Sequence, residues 1–159
     1  MDKSKDHHII LIIHGPNLNM LGKRETDIYG KSTLDEINAG LIKTGENAGL
    51  SVETFQSNHE GTVVEKIQQA VDGYSGLIIN PAAFTHTSIA IRDALLLLDI
   101  PIIELHISNI YKREPFRHTS MISDVSTSII SGFGEYGYTM ALEAIVRMIR
   151  SDTPRRELS

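Results

Sequence analysis

The strand-like run 101–108 contains a carboxylate and an imidazole that could work together in acid–base chemistry. Glu104 and His106 are two positions apart in this apolar segment. Because side chains alternate across a strand, both project from the same face. A carboxylate next to an imidazole fixes the tautomer of the ring and raises its basicity. His106 alone would often be only a structural hydrogen-bonding residue, so the pairing with Glu104 is what favours a catalytic role.

A long polar loop at residues 14–29 follows the first apolar strand. A connection between a strand and a helix normally takes about 2–6 residues, whereas this one continues to about Ser32. Long loops of this kind are often functional. Tyr29 lies in the loop, either as a packing residue or as a base. A free phenol has a pKa of about 10 and is a poor base at neutral pH, so a catalytic role requires a nearby cation, for which Arg24 and Arg113 are candidates.

Composition excludes several classes of protein. The chain has 159 residues, no cysteine and a formal net charge of −5. We therefore expect neither disulfides nor a thiolate nucleophile, and a negatively charged chain is not typical of nucleic-acid binders. No apolar run approaches the roughly 18 residues of a membrane helix, and 9–13 is too short for a signal-peptide core. We expect a cytoplasmic location, no membrane or nucleic-acid partner, and a single domain over 1–159 with its core at about 8–150 and mobile flanks at 1–7 and 151–159.

The elements alternate between strand and helix. We predict strands at about 8–14, 51–56, 76–80, 101–107 and 125–131, and helices at about 32–49, 60–73, 87–98 and 136–150. The first helix has a candidate capping box at 32–35. Continuously apolar strands that alternate with helices indicate a parallel sheet with helices on both faces. The spacing favours an α/β, flavodoxin-like, doubly wound five-stranded parallel sheet of order 2-1-3-4-5.

This strand order would bring the polar side chains together. Ligands of such sheets bind beyond the carboxyl ends of the strands, where the strand order reverses. Asn17 follows the first strand, Asn80 ends the third and His106 ends the fourth. These three strands are neighbours in the predicted order. We therefore expect one site at this edge of the sheet.

Four ordered motifs over about residues 8–150 resemble the type II 3-dehydroquinate dehydratases (type II dehydroquinases) of the shikimate pathway. The motifs are Gly-Pro-Asn-Leu-Asn with Leu-Gly-x-Arg-Glu and Tyr-Gly in the first loop, Asn-Pro-Ala-Ala-x-Thr-His-Thr-Ser at 80–88, Glu-x-His-Ile-Ser-Asn with Arg-Glu-x-Phe-Arg at 104–117, and a Gly-rich turn at 131–138. The resemblance implies a hydro-lyase that converts 3-dehydroquinate to 3-dehydroshikimate by anti elimination through an enolate. It also implies that no metal, nucleotide or Schiff base takes part.

The resemblance also implies a role for individual residues. Tyr29 would remove a proton from C2 of the substrate with support from Arg24, and His106, oriented by Glu104, would protonate the departing C1 hydroxyl. Asn17, which could otherwise be a turn residue, would hold the enolate oxygen. The implied substrate-binding residues are Asn80, His86, Asp93, Ile107, Ser108, Arg113 and Arg117. Arg117 suits a carboxylate because a guanidinium binds one in a bidentate way, whereas Asp93 could equally be an exposed helix residue.

The resemblance further implies a lid and an assembly. Residues 18–31 would close over the substrate, with Gly22 and Gly30 as candidate hinges. The resembled family forms trimers that group into dodecamers. Four residues differ from the commonest family pattern, which leaves loop mobility and subunit contacts open: Thr26, Phe84, Glu135 and Tyr136.

The main alternative is a flavodoxin-like small-molecule binding or signalling module without catalysis. One motif for such a module can be set aside. Residues 132–137 fit Gly-x-Gly-x-x-Gly, but a dinucleotide site also needs a further strand and an acidic residue about 20 positions on. Only the last helix and the tail follow. We therefore expect these glycines to serve a tight turn and close helix packing.

Overall fold

Among the residues that the computed structural model describes, 7–23 and 25–151, five parallel strands form one sheet in the order β2-β1-β3-β4-β5. The strands are β1 (Ile9–His14), β2 (Ser51–Gln56), β3 (Gly76–Asn80), β4 (Ile102–His106) and β5 (Ser128–Ser131). The central strands β1, β3 and β4 are almost wholly buried. The predicted fold class and strand order are thus confirmed.

Helices cover both faces of the sheet. They are α1 (Thr26–Tyr29), α2 (Leu34–Asn47), α3 (Glu60–Gln69), α4 (Ile89–Leu95) and α5 (Tyr136–Arg150). Apolar side chains of α2 and α5 pack on one face of the sheet, and those of α3 and α4 pack on the other. Burial of both faces explains why the central strands are apolar throughout rather than alternating.

Several predicted boundaries were wrong by a few residues. The capping box of α2 is formed by Thr33 and Glu36, one position beyond the predicted one, because a glutamate can reach back to the N-cap amide. Helix α3 ends at Gln69 rather than at about 73, and α4 begins and ends inside its predicted range. Strand β5 begins at Ser128 instead of about 125, because residues 123–125 form a 3-10 turn. Helix α1 was not predicted.

The ends of β1 and β3 approach each other closely at Gly15. The register pairs His14 of β1 with Asn80 of β3. The Gly15 amide donates to the Asn80 carbonyl at 2.8 Å. A Cβ atom on Gly15 would lie 2.3 Å from the Pro81 carbonyl oxygen, far inside contact distance. Only glycine fits there, and the resulting approach brings the loops after the two strands together.

The glycine-rich segment 132–137 forms the turn between β5 and α5. Gly132 and Gly134 have positive φ angles of 93° and 62°. Their amides donate to the carbonyls of His106 at 3.2 Å and Ile107 at 3.0 Å. The turn therefore holds the end of β4 in place, which is a structural role as expected from the sequence.

Some predictions lie outside the described residues. These are Arg24 and nearly all of the two flanks, 1–7 and 151–159. Within 7–23 and 25–151, none of the helices is both long and apolar enough to cross a bilayer. Over the same residues, no cluster of three or more histidine and carboxylate side chains is arranged to hold a metal ion.

Candidate active site

A cleft opens at the carboxyl ends of β1, β3 and β4. The cleft lies at the edge of the sheet that the strand order predicts. Most of the predicted site residues line it, namely Asn17, Tyr29, Asn80, His86, His106, Ile107, Ser108, Arg113 and Arg117. Tyr29 and His106 thus share one cavity, although they are separated by 77 positions in the sequence (106 − 29).

His106 is paired with Glu104 through its Nε2 atom. The distance from Nε2 to Glu104 Oε1 is 2.6 Å, and the two residues are 5% and 0% exposed. Burial raises the pKa of Glu104, but hydrogen bonds from His106, Ser123 and Ser120 outweigh burial and hold that pKa below its ordinary value. Glu104 is therefore an anion that accepts from Nε2–H of His106. This leaves Nδ1 of His106 as the ring nitrogen that can exchange a proton with a ligand.

Glu104 itself does not line the cleft. Its carboxylate lies behind His106, where it also accepts hydrogen bonds from the hydroxyls of Ser120 at 2.9 Å and Ser123. A carboxylate in this place orients the imidazole and does not touch a ligand.

Tyr29, the last residue of α1, lies next to the guanidinium of Arg113 from the segment after β4. Arg113 Nη1 donates to the Tyr29 hydroxyl at 2.7 Å, and its Cζ atom lies 5.4 Å from the centre of the Tyr29 ring. The sequence offered two cations for Tyr29, and Arg113, also expected to bind substrate, is one of them. The other, Arg24, lies outside the described residues.

Asn17 faces the cleft from a left-handed turn. Its φ angle is 66°, a region that asparagine enters more readily than most residues. Its backbone amide donates to Asn58 Oδ1 at 2.9 Å, and Asn58 Oδ1 also accepts from Gln56 Nε2 at 3.1 Å. The end of β2 therefore fixes the Asn17 backbone and leaves the side chain for the cleft.

Asn80 is held by a buried polar network. Its Nδ2 donates to the Tyr138 hydroxyl at 3.0 Å, and its Oδ1 accepts from the Ala82 amide at 3.2 Å. The Tyr138 hydroxyl lies 2.9 Å from His14 Nδ1, and His14 Nε2 lies 2.8 Å from Asn38 Oδ1. Burial raises the pKa of Tyr138, so the phenol stays protonated and donates to His14. The network fixes the orientation of the Asn80 amide at the cleft wall, and His14 serves in it as a buried hydrogen-bonding residue.

The network predicts a pH-dependent stability. Burial lowers the pKa of His14 to about 4, although its hydrogen bond to Asn38 opposes this. The folded protein therefore keeps His14 neutral, whereas the unfolded chain binds a proton below about pH 6.5. We expect His14 to make its full contribution to the free energy of unfolding above pH 6.5. This contribution is expected to fall by up to about 3 kcal/mol as the pH drops to 4. Urea unfolding at a series of pH values measures this change.

The control for this prediction is the exposed residue His59, which has no side-chain capping bond in the structure. His14→Gln is expected to flatten the dependence of the unfolding free energy on pH between 4 and 6.5, while His59→Gln is expected to leave it unchanged. Equal slopes in the wild-type protein and His14→Gln would contradict the assignment of this dependence to His14.

His86 and Arg117 line the side of the cleft that faces His106. The His86 ring stacks on the His106 ring with a centroid distance of 6.4 Å, and its Nδ1 donates to the Thr119 carbonyl at 2.8 Å. Burial lowers the pKa of His86, and the charges of His106 and Arg117 lower it further. The hydrogen bond to Thr119 acts in the opposite direction. Neutral His86 then presents Nε2 as an acceptor. Arg117 Nε donates to Glu114 at 2.7 Å, which fixes one edge of the guanidinium.

Asp93 is the predicted substrate-binding residue that the structure does not bring to the cleft. It is exposed on α4, directly after Arg92 in the chain. The residues that face the cleft come from the carboxyl end of the sheet and from the loops that follow it, and Asp93 lies beyond them on the helix.

Sequence reasoning missed several residues that shape the site. Ser120 and Ser123 bind Glu104, Tyr138 binds Asn80, and Leu18 and Leu21 line the cleft with apolar surface. Isolated serines in a loop carry no local signal for such a role. Tyr138 on an amphipathic helix is indistinguishable from an ordinary core residue until its hydroxyl partner is known.

Comparisons of sequence and of structure with known proteins point to the same family. The model of the family described as Dehydroquinase class II matches residues 8–146. A 3-dehydroquinate dehydratase of Legionella pneumophila (strain Corby) is 53% identical over 142 residues, which span 89% of this chain and 98% of that protein. A catabolic 3-dehydroquinase of Aspergillus clavatus is 55% identical over 136 residues, which span 86% of this chain and 91% of that protein.

The fold comparison agrees with the sequence comparison. A crystal structure of type II dehydroquinase from Propionibacterium acnes superposes with a TM-score of 0.85 and 46% identity, covering 89% of this chain and 99% of that one. The family model spans nearly the whole described chain, and the identities are far above what the fold alone requires. The chain belongs to the class II dehydroquinase family.

Proposed function

We propose that this protein is a 3-dehydroquinate dehydratase that converts 3-dehydroquinate to 3-dehydroshikimate and water in the shikimate pathway. The observation that carries the proposal is the shared cleft, lined by Tyr29 beside Arg113 and by His106 beside Glu104. The reaction needs a base at one carbon and an acid at the oxygen of the next. These two pairs supply one group for each task.

The base is the phenolate of Tyr29. It removes the proton from C2, and the electron pair of the C–H bond moves into an enolate on the neighbouring ketone. The Tyr29 hydroxyl accepts a hydrogen bond from Arg113 Nη1 at 2.7 Å, which positions this side chain for the step. We assign Arg24 a supporting part in the same step.

The acid is His106. Because Nε2–H is engaged by the Glu104 carboxylate, the transferred proton comes from Nδ1 of the imidazolium. The enolate then collapses: the ketone re-forms, the electron pair of the enolate carbon–carbon double bond becomes the C1–C2 double bond, and the C1–O bond breaks. The hydroxyl leaves as water with the proton from His106. Asn17 holds the enolate oxygen, and no metal or cofactor enters the scheme. Preorganised donors around the enolate lower the barrier.

Arg117 is proposed to bind the substrate carboxylate, with His86, Ile107, Ser108 and Asn80 completing the contacts. Asp93 was assigned to this group by resemblance, and its place on the surface of α4 gives it no contact within the same chain's cleft.

We expect Arg117→Ala to raise KM about 10- to 100-fold with a smaller change in kcat, because a charge-assisted bidentate bond acts on bound substrate before and during the reaction. Steady-state kinetics with dehydroquinate measures both constants. Arg147→Ala on α5, a cation distant from the cleft lining, is the control. An unchanged KM in Arg117→Ala would contradict the clamp role.

The lid proposed for residues 18–31 is anchored at its start. Leu18 and Leu21 are buried in the apolar core below the cleft. A closing movement that includes them would expose apolar surface to water. We therefore confine the moving part to the stretch between the candidate hinges Gly22 and Gly30, which contains α1 and Tyr29.

Assembly into trimers and dodecamers in the cytoplasm forms part of the same proposal. Large apolar and aromatic side chains are exposed on the single chain, among them Tyr111 at 67% and Phe116 at 70%. Contacts between subunits would remove such surface from water.

The decisive test is an ultraviolet assay for the conjugated enone product on incubation with dehydroquinate. We expect absorbance to rise with time and with enzyme concentration. Pretreatment with substrate and borohydride is expected to leave activity intact, because no Schiff base forms. Binding of dehydroquinate without any absorbance change would instead favour a flavodoxin-like binding module.

A further inference from the structure

The segment between the 3-10 turn at 115–117 and β5 packs against the back of the Glu104–His106 pair. We call residues 119–126 the serine segment, because three of its members are serines. Two of these hydroxyls reach the carboxylate. Ser120 Oγ donates to Glu104 Oε1 at 2.9 Å, and Ser123 Oγ donates to Glu104 Oε2.

Both oxygens of the carboxylate therefore accept at least one hydrogen bond. Oε1 accepts from His106 and Ser120, and Oε2 accepts from Ser123. Glu104 is fully buried, so each hydroxyl replaces a water molecule that the anion would otherwise need. The two oxygens are held from different directions, which prevents the carboxylate from rotating about its terminal bond.

The serine segment is itself fixed to the wall of the cleft. The Met121 amide donates to the Thr85 carbonyl at 2.8 Å, and Arg92 donates to the Met121 carbonyl at 2.8 Å. Arg92 also forms an ion pair with Asp124 through both of its terminal nitrogens. These contacts join the segment to the 3-10 turn at 82–86 and to α4, so the positions of Ser120 and Ser123 do not depend on the hydroxyl bonds alone.

We propose that Ser120 and Ser123 are positioning residues that clamp the Glu104 carboxylate and, through it, set the ring orientation and tautomer of His106. A carboxylate that spends two of its lone pairs on hydroxyls is a weaker base toward the imidazolium. The proton shared with Nε2 therefore stays on the ring. Nδ1 of His106 is then the ring atom left to exchange a proton with the substrate.

Ser123→Ala is the sharper variant of the two. Ser120 Oγ also accepts hydrogen bonds from the backbone amides of Ile122 at 3.2 Å and Ser123 at 3.1 Å. Loss of this hydroxyl would therefore disturb the turn as well. Ser126 supplies a matched control within the same segment, because its hydroxyl donates to the Ile122 carbonyl at 2.9 Å and lies outside the Glu104 cluster. Ser123→Ala and Ser126→Ala each remove one hydroxyl group from the serine segment.

The first readout is the proton resonance of His106 Nε2–H in nitrogen-15-labelled, substrate-free protein. A proton held against a buried carboxylate resonates far downfield of the amides. We expect Ser123→Ala to shift or broaden this signal, Ser123→Thr to restore it, and Ser126→Ala to leave it unchanged. This measurement uses no substrate, so it tests the clamp whether or not the protein converts dehydroquinate.

The second readout is kinetic and depends on the proposed function. We expect Ser123→Ala to lower kcat about 10-fold with little change in KM, as groups that orient a functional histidine commonly do, and Ser123→Thr to recover most of it. An unchanged resonance and kcat in Ser123→Ala would overturn the proposal. Equal losses in Ser123→Ala and Ser126→Ala would also overturn it, because they would reduce the role of Ser123 to support of the loop.

Discussion

Tyr29→Phe is expected to lower kcat for dehydroquinate by about 10³-fold while KM changes little. The substitution keeps the ring that packs at the cleft and removes only the oxygen that accepts from Arg113. Without a phenolate, water would have to remove the C2 proton, and water is both a weaker base and not positioned. Full progress curves at saturating substrate measure the loss.

A second tyrosine provides the control for this prediction. Tyr111 is largely exposed and does not line the cleft, so Tyr111→Phe removes a hydroxyl of the same kind elsewhere. It is expected to keep wild-type turnover. Near-normal turnover in Tyr29→Phe would remove Tyr29 from the role of base and leave the packing interpretation.

His106→Ala is expected to lower kcat by a similar factor, about 10³-fold, because the C1 hydroxyl would have to leave without a proton. The substitution opens a space next to Glu104, and imidazole added to the buffer is expected to restore part of the activity by occupying that space. Titration of imidazole against kcat measures the rescue. The Glu104 carboxylate accepts bonds from Ser120 and Ser123 in the wild-type protein, and we expect it to keep them in this variant.

The loss in His106→Ala must be separated from loss of folding. Thermal unfolding of the variant shows whether the buried carboxylate tolerates the loss of its imidazole partner. His59→Ala, a change at an exposed histidine outside the cleft, controls for histidine removal in general. A folded His106→Ala protein with wild-type kcat would exclude His106 as the acid.

The sequence was sufficient to predict the order of the elements and the sheet. Period-two alternation and continuous apolar runs are local properties, and a chain that alternates them with amphipathic helices has few ways to bury both faces of a sheet. The errors fall at element ends. The cap at Thr33 and the early end of α3 at Gln69 are set by individual hydrogen bonds that neighbouring residues can form almost equally well. Helix α1 is a short element inside a loop, where propensity gives little signal.

The composition of the site was predicted to the extent that strand register determines it. Glu104 and His106 share a face because of their spacing, and Asn17, Asn80 and His106 meet because parallel neighbours end at one edge. For most of the individual roles, the family resemblance supplied what spacing could not. For Asp93 the family resemblance was not sufficient. It assigned this residue to the substrate, but it did not predict that α4 would hold the side chain away from the cleft of its own chain.

By itself the sequence determined the strand order, the edge at which the polar residues gather, and the pairing of a carboxylate with an imidazole two positions away, because all three follow from short-range periodicity and chain connectivity. Only the tertiary structure decided that Arg113 contacts Tyr29, that Ser120 and Ser123 hold Glu104, and that Tyr138 joins His14 to Asn80. These contacts join residues 16 to 124 positions apart, or bring a loop serine to a buried anion. They depend on how helices and loops pack on the finished sheet, and no local pattern in the chain encodes that packing.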